Sequence, residues 1–151
     1  MGWSMMQQRR LQLEKKILSK YFPSFHWVNQ YDPENTVVEG NIITNSRNLY
    51  SLKTFVPPDY PNSMPDLVIT YPFPVKGHFG KKLTEYGCSS TMHLLTPIND
   101  CPAICHYSEW SPELTLYLVI LKGRIWLEAL DGHVKTGQPL DYYLPHMQER
   151  D

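Results

Sequence analysis

From residue 4 to about residue 20, apolar positions return at helical spacing: Met6, Leu13, Ile17 and Tyr21, with Leu11, Leu18 and Phe22 beside them and Gln, Arg, Glu and Lys between. Ser4 has the chemistry of an N-cap and Pro23 ends the run, so the pattern predicts an amphipathic first helix with one face for a core. The period then drops to two. Residues 26–30, 36–44 and 49–56 are rich in Val, Ile, Thr, Tyr and Phe, and the turn formers Asp32-Pro33-Glu34-Asn35 and Thr44-Asn45-Ser46-Arg47-Asn48 separate them. A proline-rich connection over 57–65, poor in backbone donors, leads to a fourth run, DLVITY at 66–71. The expectation is a four-stranded antiparallel meander.

Beyond it the periodicity weakens. Residues 72–90 carry Pro, Lys, His and the glycines Gly77, Gly80 and Gly87, which predicts a long surface loop with one helical turn near 81–86. The segment around Cys101 and Cys105, rich in Pro and Asn, reads as a second irregular loop. A second long helix is expected over 113–130, with Ser111 as cap, Pro112 at its first position, Leu114, Leu118, Leu121 and Ile125 as its buried stripe and Asp131-Gly132 as its end. Residues 131–151 are expected to be a tail. Together these elements give an α+β chain of a single domain, its core over about residues 4–130.

Composition narrows the function classes. The chain has 151 residues, the size of one domain. Its 14 Lys and Arg against 15 Asp and Glu provide no basic field for a phosphate backbone or an anionic membrane, so neither nucleic acid nor membrane is expected as a partner. Cysteines number 3, an odd count, and the N-terminus turns polar at once. A reducing cytoplasm is therefore expected, not a secreted disulfide scaffold. The apolar run 114–121 is too short to span a bilayer. There is no glycine-rich phosphate loop, and no cofactor is expected.

Two stretches carry a resemblance. Pro57-Pro58-Asp59-Tyr60-Pro61 through Pro65 to Thr70 resembles the P-x-D-Y-P-x-x-P-P-x-V-x-F-x-T segment of ubiquitin-conjugating enzymes, and Trp110-Ser111-Pro112-Glu113-Leu114-Thr115-Leu116 resembles that family's W-S-P-A-x-T-I/L at the start of the helix after its active site. In the family an Asn stands eight residues before the catalytic cysteine and the Trp eight after it. Here Trp110 lies nine residues after Cys101 and five after Cys105, and His93 lies eight before Cys101, in the place of the Asn. The family's His-Pro-Asn triplet is replaced by Met92-His93-Leu94, residues 72–90 are an insertion, and the two C-terminal helices are reduced. In these departures the chain is similar to divergent bacterial conjugating enzymes of antiphage operons, including the short form of cyclic-oligonucleotide signalling systems. The resemblance implies an α+β fold with the N-terminal helix on one side of the antiparallel sheet and the second long helix packed on the other face, and a cysteine-dependent acyl transferase whose thiol carries a protein C-terminus, either a ubiquitin-like protein or a cGAS-like nucleotidyltransferase, and passes it to a lysine amine. Activation of the donor, if required, would come from a separate activating enzyme.

The residue chemistry agrees with that implication. A thioester carrier needs a thiolate, which an ordinary thiol supplies only sparingly at neutral pH. Cys101 is the expected nucleophile, with His93 as hydrogen-bond donor or proton acceptor during attack by the amine. Asp100 would oppose thiolate formation by like charge, and Asn99 is a second candidate donor. Cys105 is either packed under the loop or a resolving or second acceptor thiol, and His106 is structural. Zinc ligation by Cys88, His93, Cys101, Cys105 and His106 lacks the close C-x-x-C pairs of such sites. A binding module of the same fold, docking a partner without catalysis, is the alternative.

Overall fold

A computed structural model describes residues 2–107 and 109–144. It is an α+β arrangement: helix α1 (Met5–Tyr21), strands β1 (His26–Val28), β2 (Val37–Ile43), β3 (Leu49–Phe55) and β4 (Asp66–Tyr71), a 3-10 turn (Leu83–Tyr86), strands β5 (Leu94–Ile98) and β6 (Cys101–Ile104), helix α2 (Leu116–Thr136) and a single turn, α3 (Leu140–Tyr143). The strands form one antiparallel sheet in the order β1-β2-β3-β4-β6-β5. The four expected strands and the turn near 81–86 are present. The expectation of four strands is corrected to six, because the presumed cysteine loop forms the β5–β6 hairpin.

Helix α1 starts where its cap predicts: Ser4 accepts from the Gln7 backbone, and the Gln7 side chain accepts from the Ser4 N–H in return. Its face is turned, however. Met6, Leu13 and Tyr21 are exposed, while Leu11, Glu14 and Leu18 point inward. The cause is Glu14, whose carboxylate accepts from Arg10 Nε at 2.7 Å, from the Tyr60 hydroxyl and from the Leu116 backbone N–H at 2.6 Å. One buried acid thus fixes α1 against the start of α2, its own charge met by Arg10.

The two helices lie together, with the Tyr21 and Tyr117 rings 5.1 Å apart, and so are not on opposite faces of the sheet as expected. Helix α2 also begins later and ends later than predicted. Thr115 caps it by accepting from Leu118 N–H, and Gly137, at φ 82, closes it in the left-handed region. Its buried stripe is Leu116, Val119, Ile120, Gly123, Trp126, Leu127 and Leu130, about a half-turn from the predicted one. Gly123 sets this rotation: a Cβ there would stand 2.8 Å from Leu67 and 3.0 Å from Leu52, so the backbone sits directly on β3 and β4.

The predicted loop at 72–90 is anchored rather than free. Val75 and Leu83 are buried, and His133 of α2 accepts the His78 N–H through Nε2 at 3.2 Å. The expected tail contains the end of α2 and all of α3, while residues 145–151 lie outside the described residues. Among the described residues no helix is long and apolar enough to cross a membrane.

Candidate active site: the two ends of a hairpin

Asn99 and Asp100 have φ values of 50° and 62°, and Ile98 pairs with Cys101. Those are the features of a two-residue hairpin whose two central residues are both left-handed, a conformation that Asn and Asp tolerate better than other side chains. Cys101 is therefore the first residue of β6, held at a tight turn.

Register decides where its thiol faces. Ala103 pairs with Val68 of β4 and with Leu95 of β5, Val68 pairs with Lys53, and Lys53 pairs with Glu39. Directly paired residues share a face, and positions two apart in a strand share it too. Cys101 thus belongs to the face of Glu39 and Lys53, while Leu52, Leu67 and Ile104 line the face that packs on α2. The sulfur is partly exposed. Burial pushes its pKa up, Asp100 pushes it further, and Lys53 pulls it partly back. The expected effect of Asp100 is thus borne out, and Lys53 is the cation near this thiol.

The opposite end of the hairpin is a different environment. His93 is buried, its backbone is left-handed at φ 52, and its carbonyl accepts from the Cys105 N–H at 3.0 Å and from the Trp126 indole at 3.1 Å. Its Nε2 lies 2.8 Å from Asp141 Oδ1 of α3. The expectation that His93 stands beside Cys101 is corrected: it stands opposite Cys105. Five residues of strand separate position 93 from Ile98, roughly 16 Å at about 3.3 Å per residue. Equal sequence distance does not place these two groups together, because the hairpin runs away from His93 before it returns.

Cys105 is partly buried and raised in pKa, by burial first and then by Cys88, with Lys122 of α2 opposing. The Lys122 ammonium lies 4.2 Å from the centre of the Tyr107 ring, and burial lowers its pKa. His106 is buried with Nδ1 3.0 Å from the Ile104 carbonyl, as a structural residue would be, and burial lowers its pKa. Trp110 donates to the Pro61 carbonyl at 2.7 Å, and Tyr60 packs beside it. These two fix the chain after the cysteines to the proline-rich connection. All three thiols are free. Among the described residues no three His, Cys, Asp or Glu side chains converge to hold a metal ion.

Sequence reasoning did not find Lys53 or Lys122, which reach the two thiols only through pairing across strands and helix packing. The hairpin had a signal, the Asn99-Asp100 dipeptide between two apolar runs. Comparison of the chain with family models, with curated proteins and with solved structures finds no match.

Proposed function

We propose that the chain is a ubiquitin-conjugating-like acyl carrier of a bacterial antiphage system, with Cys101 as the residue that holds a protein C-terminus as a thioester. The observation that carries this reading is the position of Cys101: a partly exposed thiol at the rigid tip of a hairpin, on the sheet face opposite α2. The resemblance at 57–70 and 110–116 supports it. So does the left-handed backbone of His93, which an Asn at that position would also tolerate.

In the transfer, the Cys101 thiolate attacks an activated acyl carbonyl supplied by another protein, and the former leaving group departs. A lysine amine then attacks the thioester, the C–S bond breaks and an amide forms. Since the pKa of Cys101 is raised, the donor must be strongly activated, as the thioester of a separate activating enzyme would be. His93 has no part in this step. Its role is to anchor the hairpin.

The raised pKa values of both Cys101 and Cys105 favour the second reading, a binding module without chemistry. Intact-mass measurement after incubation with a candidate nucleotidyltransferase donor and a candidate activating protein separates the two. Carrier function predicts a labile adduct on the wild-type chain, an oxygen ester or no adduct with Cys101→Ser, and an unchanged adduct with Cys105→Ser. Complex formation without any adduct would establish the binding module instead.

A further inference from the structure

A cavity of about 510 Å³ lies between the first three turns of α1 and the turn after β1. Trp3 and Leu11 are its buried part, and Gln8, Arg9, Gln12 and Lys15 supply polar groups. Its walls are tied to one another. The Trp3 indole donates to the Gln30 carbonyl at 3.0 Å, the Gln8 amide donates to the Trp3 carbonyl at 2.9 Å, and the Lys15 ammonium donates to Gln30 Oε1 at 2.5 Å. We propose that this cavity is a binding site for a planar aromatic anion, a ring that carries one phosphate or carboxylate. Neither Cys101 nor Cys105 lines it, so the assignment does not depend on the acyl-carrier reading.

Charge selects the anion. Two cations, Arg9 and Lys15, line the cavity and no carboxylate does, in a chain whose acids outnumber its bases. The acids nearest in sequence are engaged elsewhere: Glu14 accepts from Arg10, Tyr60 and Leu116, and Asp32 accepts from Asn35 and the Glu34 N–H. Among the described residues no carboxylate forms an ion pair with Arg9 or Lys15, and the Arg9 guanidinium has only the Met5 sulfur, at 4.0 Å. A guanidinium fork open in this way takes a phosphate or carboxylate through two parallel hydrogen bonds. Shape selects the ring. Tyr31 is 79% exposed at the cavity, with the Lys15 ammonium 5.8 Å from its ring centre, so it offers a stacking surface beside a fixed cation. The Gln12 amide both donates and accepts at a ring edge. The volume is that of a small-molecule cavity, about 300–1,000 Å³.

The test titrates the full-length, isotope-labelled chain at low salt and follows its backbone amide shifts by NMR. The probes are adenosine monophosphate and indole-3-acetate as ring-bearing anions, adenosine as a ring without charge, and inorganic phosphate as a charge without a ring. The expected result is saturable shifts centred on residues 2–15 and 30–31 with at least one ring-bearing anion, the tighter of the two naming phosphate or carboxylate as the group bound. Adenosine and inorganic phosphate are expected to bind roughly tenfold more weakly, and Arg9→Glu to weaken the anion by roughly tenfold, since each removes a charge-assisted hydrogen bond or its ring partner. Tyr31→Ala, at an exposed side chain, is expected to weaken it about threefold. The spectra of both variants report directly that they are folded. Three results would overturn the proposal: no saturable shift at these residues with either ring-bearing anion at millimolar concentration, inorganic phosphate binding as tightly as the monophosphate, or binding that Arg9→Glu leaves unchanged.

Discussion

The two ends of the β5–β6 hairpin hold one half-buried thiol each, set in different surroundings. At the turn, Cys101 is partly exposed and has Asp100 and Lys53 as its charged neighbours. At the open end, Cys105 is tied through its backbone to His93, which is tied in turn to Trp126 of α2 and Asp141 of α3. One end presents its sulfur at a two-residue turn, and the other is tied by hydrogen bonds to α2 and α3. On the proposed reading, the most heavily bonded residues are the foundation of the site, and the proposed reactive group stands where few contacts compete for it.

Removing the foundation should break this contrast most severely. Trp126→Ala deletes a buried indole and the donor to the His93 carbonyl, and is expected to cost about 3–5 kcal/mol in denaturant unfolding. His93→Ala is the sharper test. It removes the contact to an Asp141 that is half exposed, so a loss of about 1–2 kcal/mol is expected, with acylation of Cys101 unchanged in the folded protein. Loss of acylation in a variant that still folds would return His93 to the chemistry.

The open end also predicts a pH dependence. Burial holds His106 below its ordinary value of 6.5 in the folded chain, so the unfolded chain binds the extra proton between the two values. This contribution to stability is complete above pH 6.5 and is lost as pH falls through that value toward the folded one. Unfolding midpoints across pH 5–8 should therefore drop on the acid side, and His106→Gln should flatten the slope. The smallest effect lies at the turn. Asp100→Asn removes the charge that opposes the Cys101 thiolate, so iodoacetamide should label Cys101 about two- to threefold faster at neutral pH.

Much of the fold was legible because it depends on local rules. The Ser4 cap, the period-two runs and the prolines at 57–65 placed α1 and the first four strands to within a residue or two. What escaped was set by contacts distant in sequence. Glu14 turned α1 through partners at 60 and 116, and Gly123 rotated α2 to meet Leu52 and Leu67. A carboxylate is ordinarily exposed and a mid-helix glycine opposes helix propensity, so no window of sequence predicts either as a packing residue. In the candidate site, Cys101 and the influence of Asp100 were readable from adjacency. The separation of His93 from Cys101 was not, since a spacing of eight residues means one thing in a loop and another across a hairpin turn.

The most direct measurement is the location of the acyl group itself. Wild-type chain, with all three cysteines present, is incubated with the proposed activated protein donor, quenched at low pH to preserve thioesters, digested and mapped by tandem mass spectrometry. The hairpin geometry predicts the hydroxylamine-labile group on Cys101. Finding it on Cys105 or Cys88, with Cys101 unmodified, would contradict the assignment of the turn as the reactive end.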